Sequence, residues 1–285
     1  MFDVGCTDDE GSGDRVKAVR EAMGKVKPLH KTISKPNPGD WLAEHEEPGQ
    51  TFDEYRDCSP ILPRGKRKVL YIQPVGEFSA TERRIVDLTA DFMGRYFALE
   101  VKVKETIGLE VVPDGARRRH PDWGMEQVLT GYVLDDLLKP ALPDDAVAFI
   151  AFTNSDLWPG KGWNFVFGQA SIYERVGVWS IYRNGDPEKE FHLALLRTLK
   201  TATHETGHML SMLHCTLYEC NMCGSNHREE SDRRPVTLCP ECAAKVWWGC
   251  KADPIKRYQS LAAFCKEAGL KAEADFYEKS IEALK

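Results

Sequence analysis

The spacing of apolar positions divides the chain into an irregular start, an alternating middle and a helical end. Up to about residue 65 apolar runs are short and broken by Asp, Glu, Gly and Pro, except for Arg15–Val26, which has the spacing of one short helix. The stretch SKPNPGDWLAEHEEPGQTFDEY is dense in turn residues, with Trp41, Leu42 and Phe52 as apolar anchors. It predicts an extended arm wrapped onto a folded domain, preceded by a disordered tip.

From Lys66 onward the pattern changes. Val69–Gln73 (VLYIQ) and Ala146–Phe152 (AVAFIAF) are continuous apolar runs of strand length, and Glu100–Lys104 alternates as a strand does. Ser79 with Glu82 makes a capping-box pair. The helix it starts runs to about Tyr96, with Ile85, Leu88, Phe92 and Met93 on one face. Met125–Leu138 reads as a second helix, Asn164–Phe167 and Gly177–Arg183 as strands, and Glu188 to about Leu210 as a long helix. Ile255–Glu267 and Leu270–Leu284 are amphipathic and separated by Ala268-Gly269, which predicts a helical hairpin. This order implies an α/β fold with a mixed sheet. Three units are expected: an N-terminal extension over 1–65, a domain over 66–253, and the hairpin over 254–285 packed on that domain.

Composition narrows the classes. With 42% hydrophobic residues in 285, the chain can bury a sizeable core, and a net charge of −6 argues against general affinity for nucleic acid. The acidic start MFDVGCTDDEGSGD has no apolar segment of a signal peptide, and the longest apolar run is too short for a membrane span. Nine cysteines cannot all pair, so a cytoplasmic chain is expected, without membrane or nucleic-acid partners. A monomer is the simplest oligomeric state.

The chemistry concentrates in Thr203–Cys242. His204-Glu205-Thr206-Gly207-His208 puts two imidazoles one helical turn apart, where they can share one zinc. Glu205, beside them, is placed to take a proton from water at the metal. His214 follows six residues after His208; on a continuing helix that is about 9 Å along the axis, too far for a zinc–nitrogen bond of about 2.0–2.1 Å. It reaches the same ion only if the helix stops between Leu210 and Leu213 and the chain turns back. Three histidines with one open position would make a catalytic site. Five of the nine cysteines lie within the 28 residues from Cys215 to Cys242, which suggests a second, closed zinc site. Spacing favours Cys220-x2-Cys223 with Cys239-x2-Cys242 as its ligands.

The pattern H-E-x-x-H-x-x-S-x-x-H-C-x4-C-x-M, followed by a distal C-x-x-C, resembles the archaemetzincin family of zinc metallopeptidases, within the metzincin clan. The likeness extends through DWLAEHEEPGQTF and YIQPVG to NSDLWPGKGWNFVFGQA, most of the chain, and is to the longer members with an N-terminal extension. It implies a metzincin-like zincin domain with an active-site helix and a zinc-stapled C-terminal subdomain. By the same resemblance His204, His208 and His214 hold the catalytic zinc and Glu205 is the general base. Met222 lies beneath the metal, and Cys215, Cys220, Cys239 and Cys242 hold a structural zinc, giving two ions per chain. The resemblance thus puts Cys215 where spacing puts Cys223, and is preferred because a zinc at Cys215 would lock the turn that delivers His214. It also marks Trp163–Ala170 as a sheet edge on which a peptide or small-protein substrate lies extended.

Two departures stand out: Ser211 replaces a usual glycine, and Cys223 is an added thiol. A left-handed Ser211 would store on the order of 1–3 kcal/mol, so Ser211→Gly is expected to raise the melting temperature. Cys6, Cys250 and Cys265 read as ordinary thiols and Cys58 as a loop cysteine, its alternative being a latency ligand on the catalytic zinc. Arg117–His120 reads as a solvated basic loop, and His227 as a histidine with only a remote chance of reaching a metal. The alternative to a peptidase is a zinc-stabilised binding module with a weak or vestigial site; a further one makes the C-terminal hairpin a scaffold for a partner helix.

Overall fold

The computed structural model describes residues 10–285, so Cys6 and the acidic tip lie outside the described residues. In chain order the elements are α1 (Glu10–Val26), α2 (Trp41–Glu44), α3 (Phe52–Asp57), β1 (Val69–Val75), α4 (Ala80–Phe97), β2 (Glu100–Val103), β3 (Arg117–Arg119) and β4 (Glu126–Leu129). There follow α5 (Thr130–Tyr132), β5 (Ala146–Thr153), β6 (Asp156–Trp158), β7 (Gly168–Ala170), β8 (Val176–Ser180), α6 (Phe191–Met209), α7 (Arg228–Arg233), α8 (Pro240–Gly249), α9 (Pro254–Glu267) and α10 (Lys271–Leu284).

The main sheet has the order β2-β1-β5-β8-β7, parallel except for β7, which runs antiparallel to β8 and forms one edge. Every residue of β5 is buried, as a central parallel strand covered on both faces requires. Its alternation serves two cores: Ala148, Ile150 and Phe152 face the helices, while Phe149 and Ala151 face the layer that includes Val112, Val128 and Leu138. A second sheet of order β3-β4-β6 stands beside the first. The capping box at Ser79 is formed, and α4 ends on Ala98 in a left-handed conformation.

Met125–Leu138 is not one helix. Glu126–Leu129 pairs with β3 and β6 as β4, and only then does the chain coil, through α5 into π-helical turns over Val133–Leu138. Apolar spacing alone does not separate a strand running into a coil from a helix; the pairing partners decide it. The predicted strand at Asn164–Phe167 also moves. Val166 makes one bridge to Leu157, and the paired residues are Gly168–Ala170. Helix α8, which carries Cys242, was not expected at all.

The N-terminal segment contributes to the same core as the domain. Helix α1 starts earlier than Arg15, buries Val16, Val19 and Val26, and is tied by Arg15 to the carbonyl of Trp247 and by Lys25 to that of Leu284. Residues 31–33 then pair with 217–219 through the Thr32–Tyr218 bridge. In the terminal hairpin Tyr258, Leu261, Phe264 and Tyr277 are turned inward, with Phe264 against Phe92 at 5.0 Å between ring centroids. Phe264→Ala should therefore cost about 3–5 kcal/mol in urea unfolding of the whole chain, as for other buried aromatics. A loss below about 1 kcal/mol would show that the hairpin is held independently of the core.

Candidate active site

Helix α6 carries the first half of the site. Its buried stripe, Leu195, Thr198, Leu199, Ala202, Thr203, Thr206 and Met209, packs inward and leaves His204, Glu205 and His208 facing a cleft of about 310 Å³. The helix stops at Leu210, and Ser211 takes φ 65°, a left-handed turn that reverses the chain. This brings back His214, which a continuing helix would have carried away.

One ring nitrogen from each of His204, His208 and His214 lies within 4.8 Å of the other two. Each Nδ1 faces an oxygen: the Asn221 carbonyl at 2.7 Å for His204, the Met212 carbonyl at 2.7 Å for His208, and the Glu47 carboxylate at 2.8 and 3.0 Å for His214. A ring whose Nδ1 is engaged with oxygen offers its Nε2 to the cluster. Nε2 of His204 and Nε2 of His208 are 3.0 Å apart, near the roughly 3.3 Å spacing of two nitrogens on one tetrahedral zinc. Burial, with neighbouring imidazole charge, pushes His204 down to about 4 and His208 well below its ordinary range, so both are neutral donors at pH 7. Converging ring nitrogens with engaged outer sides fit a divalent cation.

Glu205 opens onto the same cleft, and desolvation pushes its carboxyl up to about 8. Gly168 of β7 makes room for it: a Cβ there would stand 2.8 Å from Glu205 Cγ. Met222 lies under the ligand helix, its sulfur 2.6 Å from where a Cβ on Gly207 would be. Asn221 reaches back to Lys200 and Thr203 of α6, which aims its carbonyl at His204.

The thiols of Cys215, Cys220, Cys239 and Cys242 also lie within 4.8 Å of one another, with Cys215 and Cys239 sulfurs 3.6 Å apart. Tetrahedral zinc with Zn–S bonds of about 2.3 Å separates sulfurs by roughly 3.8 Å, so this set fits a closed site. Backbone N–H groups of Met222 and Cys239 point at the Cys220 sulfur, as they would at a thiolate. Cys223 stands outside the set, its thiol donating to the Tyr218 carbonyl at 3.2 Å. Local spacing misleads here because the loop folds Cys215, beside His214, into the position that C-x-x-C would give to Cys223.

The remaining candidates are used elsewhere. Cys58 caps α3, with its thiol on the Tyr55 carbonyl. His227 gives Nε2 to Asp40 at 3.2 Å and accepts the Glu230 N–H on Nδ1. Asp40, His227 and Glu230 form a third cluster, but Arg233 at 2.6 Å and the N–H of Trp41 already occupy its carboxylates. Arg117–Arg119 form β3, and Arg118 holds the carbonyls of Trp163 and Asn164. Sequence reasoning did not single out Glu47 or Gln50, and marked Gly168 only as part of the Trp163–Ala170 edge, without its role in making room for Glu205. Gly168 had a weak signal, being a glycine in a strand, whereas one Glu in an acidic arm had none.

The model of peptidase family M54 matches residues 71–247 of this chain. The chain belongs to the archaemetzincins, peptidase family M54. It is 31% identical to archaemetzincin-2 of Rattus norvegicus across 94% of this chain and 86% of that protein. It is 32% identical to the archaemetzincin of Archaeoglobus fulgidus over 62% of this chain and 98% of that one. The crystal structure of archaemetzincin from Methanopyrus kandleri matches with a TM-score of 0.54 at 31% identity, covering 67% of this chain and 99% of the other. As an archaemetzincin it is a zinc metallopeptidase, a hydrolase. Among the described residues no helix is long and apolar enough to cross a membrane.

Two predictions follow the geometry of this site. Cys215→Ser should lose about one zinc per chain and melt lower, as Cys239→Ser should, whereas Cys223→Ser should keep full metal content. Metal analysis beside thermal melting checks this, and equal loss from Cys215→Ser and Cys223→Ser would contradict the four-thiol set. At Ser211 the structure adds a term to the expectation from strain: its hydroxyl accepts the N–H of Ile61 at 3.1 Å. Glycine would relieve on the order of 1–3 kcal/mol of strain but forfeit a bond of similar worth and gain unfolded freedom. Ser211→Gly should therefore shift melting little, and Ser211→Ala, which keeps the φ and loses the bond, should melt lowest of the three. Ser211→Ala melting at or above Ser211→Gly would refute this account.

Proposed function

We propose that this archaemetzincin hydrolyses peptide bonds of an extended peptide or small protein, with His204, His208 and His214 holding the catalytic zinc and Glu205 as general base. The observation that carries the proposal is the convergence of one ring nitrogen from each of the three histidines, every Nδ1 facing an oxygen, in a cleft shared with Glu205. Zinc held there supplies Lewis acidity, polarising a carbonyl and letting water act as a nucleophile near neutral pH.

The chain's own residues do the rest. Strand β7 is the outermost strand of its sheet, and Val166–Ala170 line the cleft, so a substrate can add to that edge by main-chain hydrogen bonds. Glu205, set against Gly168, takes the proton of the attacking water and returns it to the leaving amine. The four cysteines are proposed to hold a second zinc, which staples the loop whose Asn221 and Met222 support the ligand helix. Four reduced thiols at one point suit a reducing compartment, and a cytoplasmic setting forms part of the proposal.

Glu205→Ala should abolish cleavage of a peptide library while zinc content stays that of the unsubstituted protein, because Glu205 is a base and not a ligand. Turnover within about twofold of the unsubstituted protein would rule the mechanism out, since general-base catalysis contributes roughly 10²–10⁴-fold. A chelator-sensitive wild type is the required control.

A further inference from the structure

Two of the three histidines are oriented by carbonyls from Asn221 and Met212, inside the segment matched by the family model. His214 is not. Its Nδ1 has Glu47 as partner, 24 residues before that segment begins at 71 (71 − 47). We propose that the N-terminal arm is a constituent of the catalytic metal site, with Glu47 as the positioning residue for His214. The inference rests on the reading of the three histidines as zinc ligands.

The arm is built to hold that carboxylate in place. Before Glu47, the N–H of Trp41 is bound by both oxygens of Glu230, and Trp41 sets its ring against His214 at 5.2 Å between centroids. Trp41 lies flat on Gly224, where a Cβ would come within 2.5 Å of the indole. After Glu47, Gln50 donates to the Ser211 carbonyl at 3.3 Å and accepts the Leu213 N–H at 3.1 Å. Lys245 of α8 grips Gln50 at its carbonyl, 2.6 Å, and its side chain, 3.0 Å. Further along, the Tyr55 hydroxyl donates to the Leu210 carbonyl at 2.8 Å.

The turn that returns His214 thus has polar groups at Leu210, Ser211 and Leu213 bonded to the arm. A carboxylate on Nδ1 fixes the tautomer and plane of a ligand histidine and raises its donor strength more than a neutral carbonyl does. Glu47 therefore acts on metal affinity through His214, and the arm is a splint for the third ligand and not a lid to be removed.

The test uses the full chain loaded with zinc, and with cobalt for spectroscopy. Competition with a chromogenic chelator follows the two sites, and His204→Ala assigns the histidine site. Glu47→Ala should weaken metal at that site by roughly 10–100-fold, leave the cysteine site unchanged, and alter the visible cobalt bands. Glu47→Gln, which keeps the shape and an acceptor but not the charge, should fall between. Unchanged affinity and cobalt spectrum in both variants would overturn the proposal. Equal loss at both sites would overturn it too, by assigning Glu47 to general folding. Should His204→Ala keep both metals, the three-histidine reading itself fails, whatever Glu47 does.

Discussion

Three imidazoles must each turn one ring nitrogen toward a common point, and most of the other features of this molecule follow from that demand. Nε2 of His204 and Nε2 of His208 stand 3.0 Å apart at the wall of the cleft. The arrangement persists only if each ring is held from behind. His204 is held by a loop carbonyl, His208 by the carbonyl of Met212 one turn on, and His214 by a carboxylate from far upstream. A zinc ion held there would join the three rings by shared coordination and so couple metal binding to the stability of the whole region.

The cost of returning His214 is local and visible. Ser211 sits at φ 65°, a conformation that disfavours any residue with a Cβ. The surrounding bonds over-determine it: Ile61 on its hydroxyl, Gln50 on its carbonyl, and the Cys215 N–H on the Met222 carbonyl. The cysteine cluster continues directly from His214, so the thiol and histidine sets share one loop.

The sheet contributes in a quieter way. Burying β5 and β8 on both faces leaves β7, short and antiparallel, as the edge facing the ligand helix. Gly168 on that edge has no Cβ to displace Glu205. The sheet edge, Glu205 and the three histidines therefore meet in one cleft without any one of them being adjacent in sequence to all the others.

Much of this was legible in the order of residues, for physical reasons. Histidines four apart on an amphipathic helix must share a face, continuous apolar runs must be buried strands, and Ser79 with Glu82 must cap, because each rests on short-range geometry. The same geometry showed that His214 needed a turn to reach the metal. What the residues could not show was anything set by long-range pairing. Glu126–Leu129 became a strand because β3 and β6 lie beside it. Spacing alone put Cys223 in the thiol set where the family resemblance put Cys215, and Cys215 enters it because the loop folds back on itself. Glu47 was indistinguishable from its acidic neighbours until the arm crossed the turn at Ser211. Local spacing records which side chains share an element, whereas the partner behind each ligand depends on where distant segments of backbone pass, and only the packed tertiary structure decides that.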